Sequence, residues 1–215
     1  MNPDPDAITT DAITTDAITT RLLAPLMQTD AEQMERLHAR LVDDATESGV
    51  LDVAYRTIPS PIGALLLAAT EVGLVRVAFA AEDHDLVLEQ LAHRISPRVL
   101  LAPDRLEDAA MQIAQYFGGE RTEFHLPLDL RLSSGFRREV LEHLPEIAYG
   151  HTASYASVAE LAGRPRAVRA VGTACATNPL PVVVPCHRVV RSDGTIGAYL
   201  GGTGAKVALL ELEAA

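Results

Sequence analysis

The spacing of hydrophobic and polar positions over residues 52–130 predicts a small α+β unit. "VAYRTI" forms a short strand before a Pro/Gly turn, and "ALLLAATEVGLVRVAFA" forms two strands around "TEVG". Residues 85–95 and 104–117 have helical spacing, with Asp104 as N-cap of the second helix and a Gly-Gly pair as its stop. The alternating stretch "TEFHLPLDL" predicts a further strand.

The pattern beyond residue 132 is mainly helical. Apolar positions in "LSSGFRREVLEHL" lie on one face of a helix that Ser133 or Ser134 would cap. In the stretch "SYASVAELAGRPRAVRAVGTACATN", Ser154 would cap a short helix, Gly163 would end it, and Pro165 suits the first turn of the next helix. Two short helices around a glycine-containing turn are typical of a helix-turn-helix, and equally of an αα-hairpin buried in a core.

The N-terminal region has a different character. Three copies of "DAITT" fill residues 6–20, and a period of five matches neither a helix face nor a strand. Apolar spacing further on predicts an amphipathic helix. The predicted organisation is a disordered tail with DAITT repeats over 1–27, an N-terminal helix over 28–50, an α+β domain over 51–131 and a second domain over 132–215.

The composition is that of an ordinary globular protein, with 48% apolar and 22% charged residues in a chain of 215. No apolar run approaches the roughly 20 residues needed to span a bilayer. The acidic N-terminus lacks the basic and apolar regions of a secretory signal. We therefore expect a cytoplasmic protein.

The charge is unevenly distributed along the chain. The net charge is −11 overall, and residues 1–132 carry 10 Lys+Arg against 22 Asp+Glu. Residues 133–215 carry 8 against 7, with arginines clustered in "GRPRAVRAV" and beside the "PCH" sequence. A local basic patch decides phosphate contact more than the total charge does, so nucleic acid remains a possible partner of the second domain.

The chain has two cysteines, Cys175 and Cys186, which are too few for a disulfide framework and belong to no CxxC pair. Cys186 lies in "VVVPCHRVV", where Pro185 would end the pairing of an apolar strand. A thiol must ionise to become a nucleophile, and its free pKa is about 8.5. The neighbours His187 and Arg188 would both favour the thiolate.

A Cys-His pair needs further geometry to react. Adjacent side chains on extended backbone point to opposite faces, so contact between Cys186 and His187 requires a bend or a bridging water. Glu211 and Glu213 are both candidates to orient the imidazole. From these residues alone, a catalytic pair and a buried structural thiol both remain open.

Longer motifs around the cysteine resemble the O6-alkylguanine-DNA alkyltransferases, the methylated-DNA–protein-cysteine methyltransferases of direct DNA repair. They are "PCHRVV", "SDGTIGAYLGG", "SYASVAELAG", "RAVRAVGTACATNPLP" and "GFRREVLEHLPEIAYG". The resemblance is dense over 134–213, looser over 53–130 and absent from 1–50. It implies an α+β fold, with a small RNase H-like N-terminal domain and a helical winged-helix/helix-turn-helix C-terminal alkyltransferase domain.

The resemblance also implies catalytic roles. Cys186 is the alkyl acceptor, His187 acts through a water as its base, and Glu213 orients His187. Asn178 holds the active-site turn together. Tyr155 helps to swing out the 3′ phosphate and donates a hydrogen bond to the base.

DNA-binding and substrate-pocket residues follow from the same resemblance. Arg169 is similar to the residue that enters the base stack while the target nucleotide rotates out. The other implied DNA contacts are Tyr155, Arg166, Ala170 and Gly172. The implied pocket residues are Pro181, Val189, Tyr199, Leu200 and Lys206.

Three features bear on how far the resemblance extends. Leu200 stands where several relatives carry a small hydroxyl residue that can reach the guanine O6, which bears on substrate range. The N-terminal domain has no cysteine or histidine cluster, so the structural zinc of some relatives is not implied. Cys186 is retained, which disfavours the binding-only branch of the family.

The implied function is a single-turnover, irreversible transfer of the methyl group from O6-methylguanine to Cys186 after base flipping, with O4-methylthymine as a further candidate substrate. The implied partner is double-stranded DNA carrying O6-alkylguanine. No cofactor, metal, membrane or obligate protein partner is implied, and the protein would act as a monomer. The alternatives are a non-catalytic sensor that binds and flips the lesion, and a cysteine hydrolase.

Overall fold

The computed structural model describes residues 31–214, and the chain divides into two units between Ser48 and Gly49. Helix α1, over residues 31–47, makes up the described part of the first unit and lies where the apolar spacing predicts a helix. Its apolar side chains Met34 and Leu37 are exposed. The predicted tail lies outside the described residues, and the predicted domain boundaries stay predictions.

A four-stranded sheet opens the second unit, with strands β1 (Val53–Ile58), β2 (Leu65–Ala69), β3 (Leu74–Phe79) and β4 (Val99–Leu101). The spatial order is β3-β2-β1-β4; β1, β2 and β3 form an antiparallel meander, and β4 pairs parallel to β1. The first three strands are those predicted from the sequence. β4 was not predicted, because three residues without a fully buried position give no periodic pattern.

Two helices accompany this sheet, α2 (His84–Arg94) and α3 (Glu107–Phe117). Val87 and Leu91 of α2 pack with apolar residues from one face of the sheet. α3 is preceded by a 3-10 turn, and its N-cap residue Leu106 makes no side-chain cap. The prediction that Asp104 caps α3 is therefore wrong, because Asp104 lies inside the preceding turn.

Residues 122–130 do not form the predicted strand; they make only one isolated bridge, between Leu128 and Leu74. The Gln112 side chain bonds both backbone groups of His125, accepting from its N–H at 2.8 Å and donating to its carbonyl at 3.2 Å. Pro127 has no N–H to offer to a ladder. The alternation of apolar and polar residues here reflects which side chains are buried, and the segment does not pair as a strand.

The rest of the second unit contains four helices and a two-stranded ladder: α4 (Phe136–His143), β5 (Ala153–Ser154), α5 (Tyr155–Leu161), α6 (Val168–Ala176), β6 (Val189–Val190) and α7 (Gly202–Ala214). β5 and β6 pair in parallel. Gly135, at φ 56°, occupies the N-cap of α4. The prediction that Ser133 or Ser134 caps α4 is therefore wrong, because the chain enters this helix through a positive φ that favours glycine. No helix within 31–214 is long and apolar enough to cross a bilayer.

Helices α5 and α6 form the predicted helix-turn-helix. The Ser154 hydroxyl caps α5 by accepting from Ser157 N–H at 3.0 Å, and Gly163 follows α5 at φ 70°. Both agree with the sequence prediction. Pro165 lies in the turn before α6, so its predicted placement in the first turn of that helix is wrong.

Candidate active site

The apolar segment before Cys186 is a turn and not the predicted strand. Val182 has φ 74°, and Val184 N–H donates to the Leu180 carbonyl at 2.8 Å. Prolines at 179, 181 and 185 remove three donors that a strand ladder would need. The chain then enters a 3-10 turn over Cys186–Arg188, which supplies the bend required after the cysteine.

Asn178 holds this turn together from its centre. Its carbonyl oxygen accepts from Leu180 N–H at 2.9 Å, and its amide donates to the Val184 carbonyl at 2.9 Å. The same amide lies 3.1 Å from Cys186 Sγ. Asn178 is fully buried, so these contacts replace all of its bonds to water. The implied role of Asn178 is thereby supported by geometry.

The edge strand β3 positions the same turn from the other side. Val77 N–H donates to the Pro179 carbonyl at 2.8 Å, and Arg76 donates to that carbonyl at 3.3 Å. At the end of β3, the Phe79 ring contacts the Tyr199 ring edge-on, with centroids 5.6 Å apart. The sheet therefore supports both the turn and the segment that carries Tyr199.

Cys186 is 1% exposed, and neither of the two cavities described below includes it in its lining. Burial raises its pKa to about 11, against opposing effects of the Asn178 hydrogen bond and the Lys206 charge. In this conformation the thiol keeps its proton at neutral pH. The neighbours His187 and Arg188 predict a preformed thiolate, but this geometry favours the protonated thiol.

His187 faces a carboxylate, with Nε2 2.8 Å from Glu213 Oε1. Burial alone would raise the pKa of Glu213, but hydrogen bonds from His187 and Arg188 outweigh it and lower the pKa from 4.5 to about 2. Glu213 is therefore ionised, and His187 Nε2 carries the hydrogen of this bond. Nδ1 is buried and has no hydrogen-bond partner among residues 31–214. This leaves Nδ1 as the free basic atom.

Of the two acids proposed for the imidazole, the structure brings Glu213 to it. Glu211 is exposed on the same helix, α7. Burial lowers the pKa of His187, and the Glu213 hydrogen bond opposes that effect. His187 is therefore neutral at physiological pH, as an acceptor for a thiol proton must be.

Three further groups bind the Glu213 carboxylate, and the sequence did not single out two of them. Arg188, suggested from sequence only as a charge near the cysteine, donates to both carboxylate oxygens, with Nε 2.9 Å from Oε2. Tyr116 from α3 donates to Oε1 at 2.6 Å, and Gly150 N–H donates to Oε2 at 3.3 Å. Tyr116 sits in an ordinary amphipathic helix pattern, so no local signal marks it.

The predicted pocket residues surround the turn. Pro181 and Val189 are buried, and Lys206, which is 1% exposed, donates from Nζ to the Val189 carbonyl at 2.5 Å. Leu200 lines a cavity of about 240 Å³ together with Asn178. A second cavity, of about 300 Å³, lies behind the turn and is lined by residues that include Pro185 and Arg188.

The ladder between β5 and β6 places Tyr155 near the cysteine. Ala153 pairs with Val189, immediately after the Cys-His turn, and Ser154 pairs with Val190 just before Tyr155 begins α5. The Tyr155 hydroxyl lies against Gly197, where an added Cβ would be 2.5 Å away. Only glycine at that position leaves room for the hydroxyl.

Apart from Tyr155, which begins α5, the predicted DNA contacts lie on α6 and the turn before it. Arg166 and Arg169 are exposed, and neither forms an ion pair within residues 31–214. A Cβ added to Gly172 would meet nothing within 4 Å, and Ala170 is half-buried. This part of the surface therefore presents small side chains and two free cations, a composition suited to close approach of a phosphate backbone.

Arg164 is less free than its neighbours in the basic cluster. Its Nη2 lies 3.3 Å from Glu139, and its guanidinium stacks 4.9 Å from the Phe136 ring. It therefore joins the helix-turn-helix to α4. Within residues 31–214 no group of three or more His, Cys, Asp or Glu side chains could hold a metal ion.

Family models match most of the second unit. Residues 53–130 match the ribonuclease-like domain of 6-O-methylguanine DNA methyltransferase, and residues 135–215 match its DNA binding domain. These matches confirm the predicted fold class, an N-terminal ribonuclease-like domain followed by a helical DNA-binding domain.

Individual relatives and solved structures agree with the family models. The chain is 40% identical over 161 residues to the methylated-DNA–protein-cysteine methyltransferase of Mycolicibacterium paratuberculosis, covering 75% of this chain and 92% of that protein. It is 36% identical to the constitutive enzyme of the same name from Bacillus subtilis, covering 74% and 94%. The Mycobacterium tuberculosis O6-methylguanine methyltransferase structure matches at 40% identity with a TM-score of 0.67, covering 75% and 93%. The structure of Mycobacterium tuberculosis OGT in complex with DNA matches at 39% identity with a TM-score of 0.64, covering 75% and 92%. Because both domains and the motif around Cys186 match, this chain belongs to the O6-methylguanine DNA methyltransferase family.

Proposed function

We propose that this protein repairs alkylated DNA by transferring the methyl group of O6-methylguanine to Cys186 in a single, irreversible turnover. The observation that supports this most directly is the arrangement around Cys186. Asn178 contacts the sulfur, while the adjacent His187 has one nitrogen bound to ionised Glu213 and the other free. Retention of the cysteine disfavours the non-catalytic sensor.

The proton on Cys186 must leave before the sulfur can attack. Because burial raises the thiol pKa to about 11, His187 Nδ1 takes the proton through a bridging water as the reaction proceeds. Glu213 then stabilises the imidazolium that forms, and the Asn178 amide and the Lys206 ammonium favour the negative sulfur.

The transfer step exchanges one bond for another. The thiolate attacks the methyl carbon in line; an S–C bond forms, the C–O6 bond breaks, and guanine leaves with the electron pair. The proton held by His187 neutralises the leaving base, so the products are S-methylcysteine and ordinary guanine. A thioether has no ready leaving group, and no step here restores the thiol.

Substrate entry requires the site to open. Tyr199 and Tyr155 are both half-buried, and Tyr155 lies against Gly197, so a guanine reaches Cys186 only when residues 191–200 or these rings shift. A base inside a duplex must also be rotated out of the stack, which costs a few kcal/mol and less for a poorly paired lesion. Arg169, exposed near the start of α6, would fill the gap left in the stack.

Mass spectrometry tests the acceptor assignment. The protein is incubated with a duplex oligonucleotide carrying O6-methylguanine, and the intact mass and the cysteine-containing peptides are measured. We expect one added methyl group on Cys186 and no second turnover. Cys175, the other buried cysteine, provides the matched control: Cys175→Ala keeps the transfer, and Cys186→Ala abolishes it while DNA binding remains.

Each of the other results excludes the proposal in a different way. Tight binding without a mass change identifies a sensor, and repeated release of product from a small excess of substrate identifies a hydrolase. A cytoplasmic location, action as a monomer and independence of protein partners remain predictions, as does activity on O4-methylthymine. Leu200 is the position to vary when adduct range is measured.

A further inference from the structure

The carboxylate that serves His187 is also bound from the ribonuclease-like domain. The Tyr116 hydroxyl, on α3, lies 2.6 Å from Glu213 Oε1 and 3.4 Å from His187 Nε2. We propose that Tyr116 is a positioning residue for alkyl transfer: it keeps the Glu213 carboxylate directed at His187. This inference rests on the proposed function, and it gives the ribonuclease-like domain a part in the chemistry.

Packing allows the Tyr116 hydroxyl only one direction. Tyr116 is fully buried, and its ring contacts those of Phe117, Phe124 and Tyr149 at centroid distances of 5.5, 5.2 and 6.1 Å. A ring enclosed on several sides cannot swing away from the carboxylate. The hydroxyl therefore approaches Oε1, the same oxygen that receives His187 Nε2.

The Tyr116 hydroxyl stays protonated at neutral pH and so remains a donor. Burial raises the pKa of Tyr116 well above its ordinary range, and the nearby Glu213 charge raises it further. A hydrogen bond donated to a carboxylate stabilises its negative charge and reduces its attraction for a proton on a neighbouring imidazole. Tyr116 thus limits how strongly Glu213 holds the imidazolium form of His187.

Titratable and charged groups surround His187 from every neighbouring element. They are Cys186 and Arg188 on its own turn, Lys206 and Glu213 from α7, Tyr116 from α3 and Tyr199 before α7. Tyr149, before β5, lies beside Glu213 and Arg188. Arg188 and Lys206 disfavour a charge on His187, and Glu213 favours it. Tyr116 is the neutral donor that weakens the influence of Glu213.

The variant Tyr116→Phe removes one hydroxyl and keeps the buried ring. We expect alkyl transfer to be about tenfold slower at pH 7, because Glu213 loses the charge-assisted hydrogen bond that fixes its carboxylate opposite His187. We also expect the acidic limb of the pH–rate profile to move to higher pH, since an unshared carboxylate favours the imidazolium form. DNA affinity should not change, because Tyr116 is far inside the protein.

Tyr149→Phe is the matched control. Its hydroxyl donates to the Leu212 carbonyl at 3.2 Å, one residue before Glu213, and does not bond the carboxylate. This variant shows how much the transfer rate changes when a hydroxyl beside the end of α7 is deleted. We expect its acidic limb to coincide with that of the unmodified protein.

Nuclear magnetic resonance of the His187 ring gives a second measurement that needs no substrate. In Tyr116→Phe, the ring should titrate at higher pH than in the unmodified protein. An unchanged titration and an unchanged acidic limb, even with a lower melting temperature, would show that Tyr116 serves packing alone. If the unmodified protein takes up no methyl group, the proposed function fails, while the titration still decides the coupling between Tyr116 and His187.

Discussion

Asn178 offers the sharpest test of how the active-site turn is built. Replacing it by alanine removes the acceptor of Leu180 N–H and both donor bonds of the amide. The Val184 carbonyl keeps another donor, because Cys186 N–H lies 2.8 Å from it. Leu180 N–H loses the Asn178 oxygen as its acceptor and becomes a buried, unsatisfied donor.

These losses set the expected magnitude. A buried donor without a partner costs about 1–3 kcal/mol, and each ordinary hydrogen bond contributes about 1 kcal/mol net. We therefore expect Asn178→Ala to lower the free energy of unfolding by about 3 kcal/mol. For a unit of this size that corresponds to a fall in melting temperature of about 6–12 °C.

Thermal unfolding and single-turnover transfer are the assays. At a temperature where the variant is folded, transfer should also be at least about tenfold slower, because a hydrogen bond to a charged sulfur is worth about 1.5–3 kcal/mol. Thr177→Ala is the control: it removes an exposed hydroxyl bond from the neighbouring residue and should change stability by less than about 0.5 kcal/mol. If Asn178→Ala is no less stable than Thr177→Ala, the turn does not depend on Asn178 and our reasoning about its origin is wrong.

Two further predictions concern pH and thiol reactivity. The pKa of Glu213 is about 2 in the fold and 4.5 ordinarily, so the unfolded chain binds the proton more readily and stability should fall by about 3 kcal/mol as the pH drops from 4.5 towards 2. Burial lowers the pKa of His187, so His187 should add a further loss of stability that begins below pH 6.5. Equilibrium unfolding at several pH values measures both losses. Glu213→Gln should flatten only the more acidic part of the curve of stability against pH. Because Cys175 and Cys186 are buried with raised pKa values, an aromatic disulfide reagent should label neither quickly in the native protein and both after unfolding. A rapid native reaction at Cys186 would contradict the closed, protonated site.

The sequence pattern correctly predicted the elements that residues close together in the chain stabilise. The Ser154 cap, the glycine after α5 and the three long strands all follow from residues that lie close together in the chain. Predictions failed where distant residues satisfy the backbone. Residues 122–130 alternate like a strand, yet the Gln112 side chain takes the hydrogen bonds of His125 that a ladder would use.

The amino-acid sequence by itself determined the family, the fold class and the motif that holds the proposed acceptor, because those depend on a contiguous run of residue types around Cys186. The resemblance implied that Glu213 meets His187, and the tertiary structure shows that contact at 2.8 Å. Only the tertiary structure brought in Tyr116, which lies 71 positions before His187 in the chain. It also decided that the thiol is protonated at rest, because a pKa depends on burial and on neighbours from several elements. Hydrophobic spacing encodes which face of an element is buried, whereas the partner that covers that face is chosen when all the elements pack together.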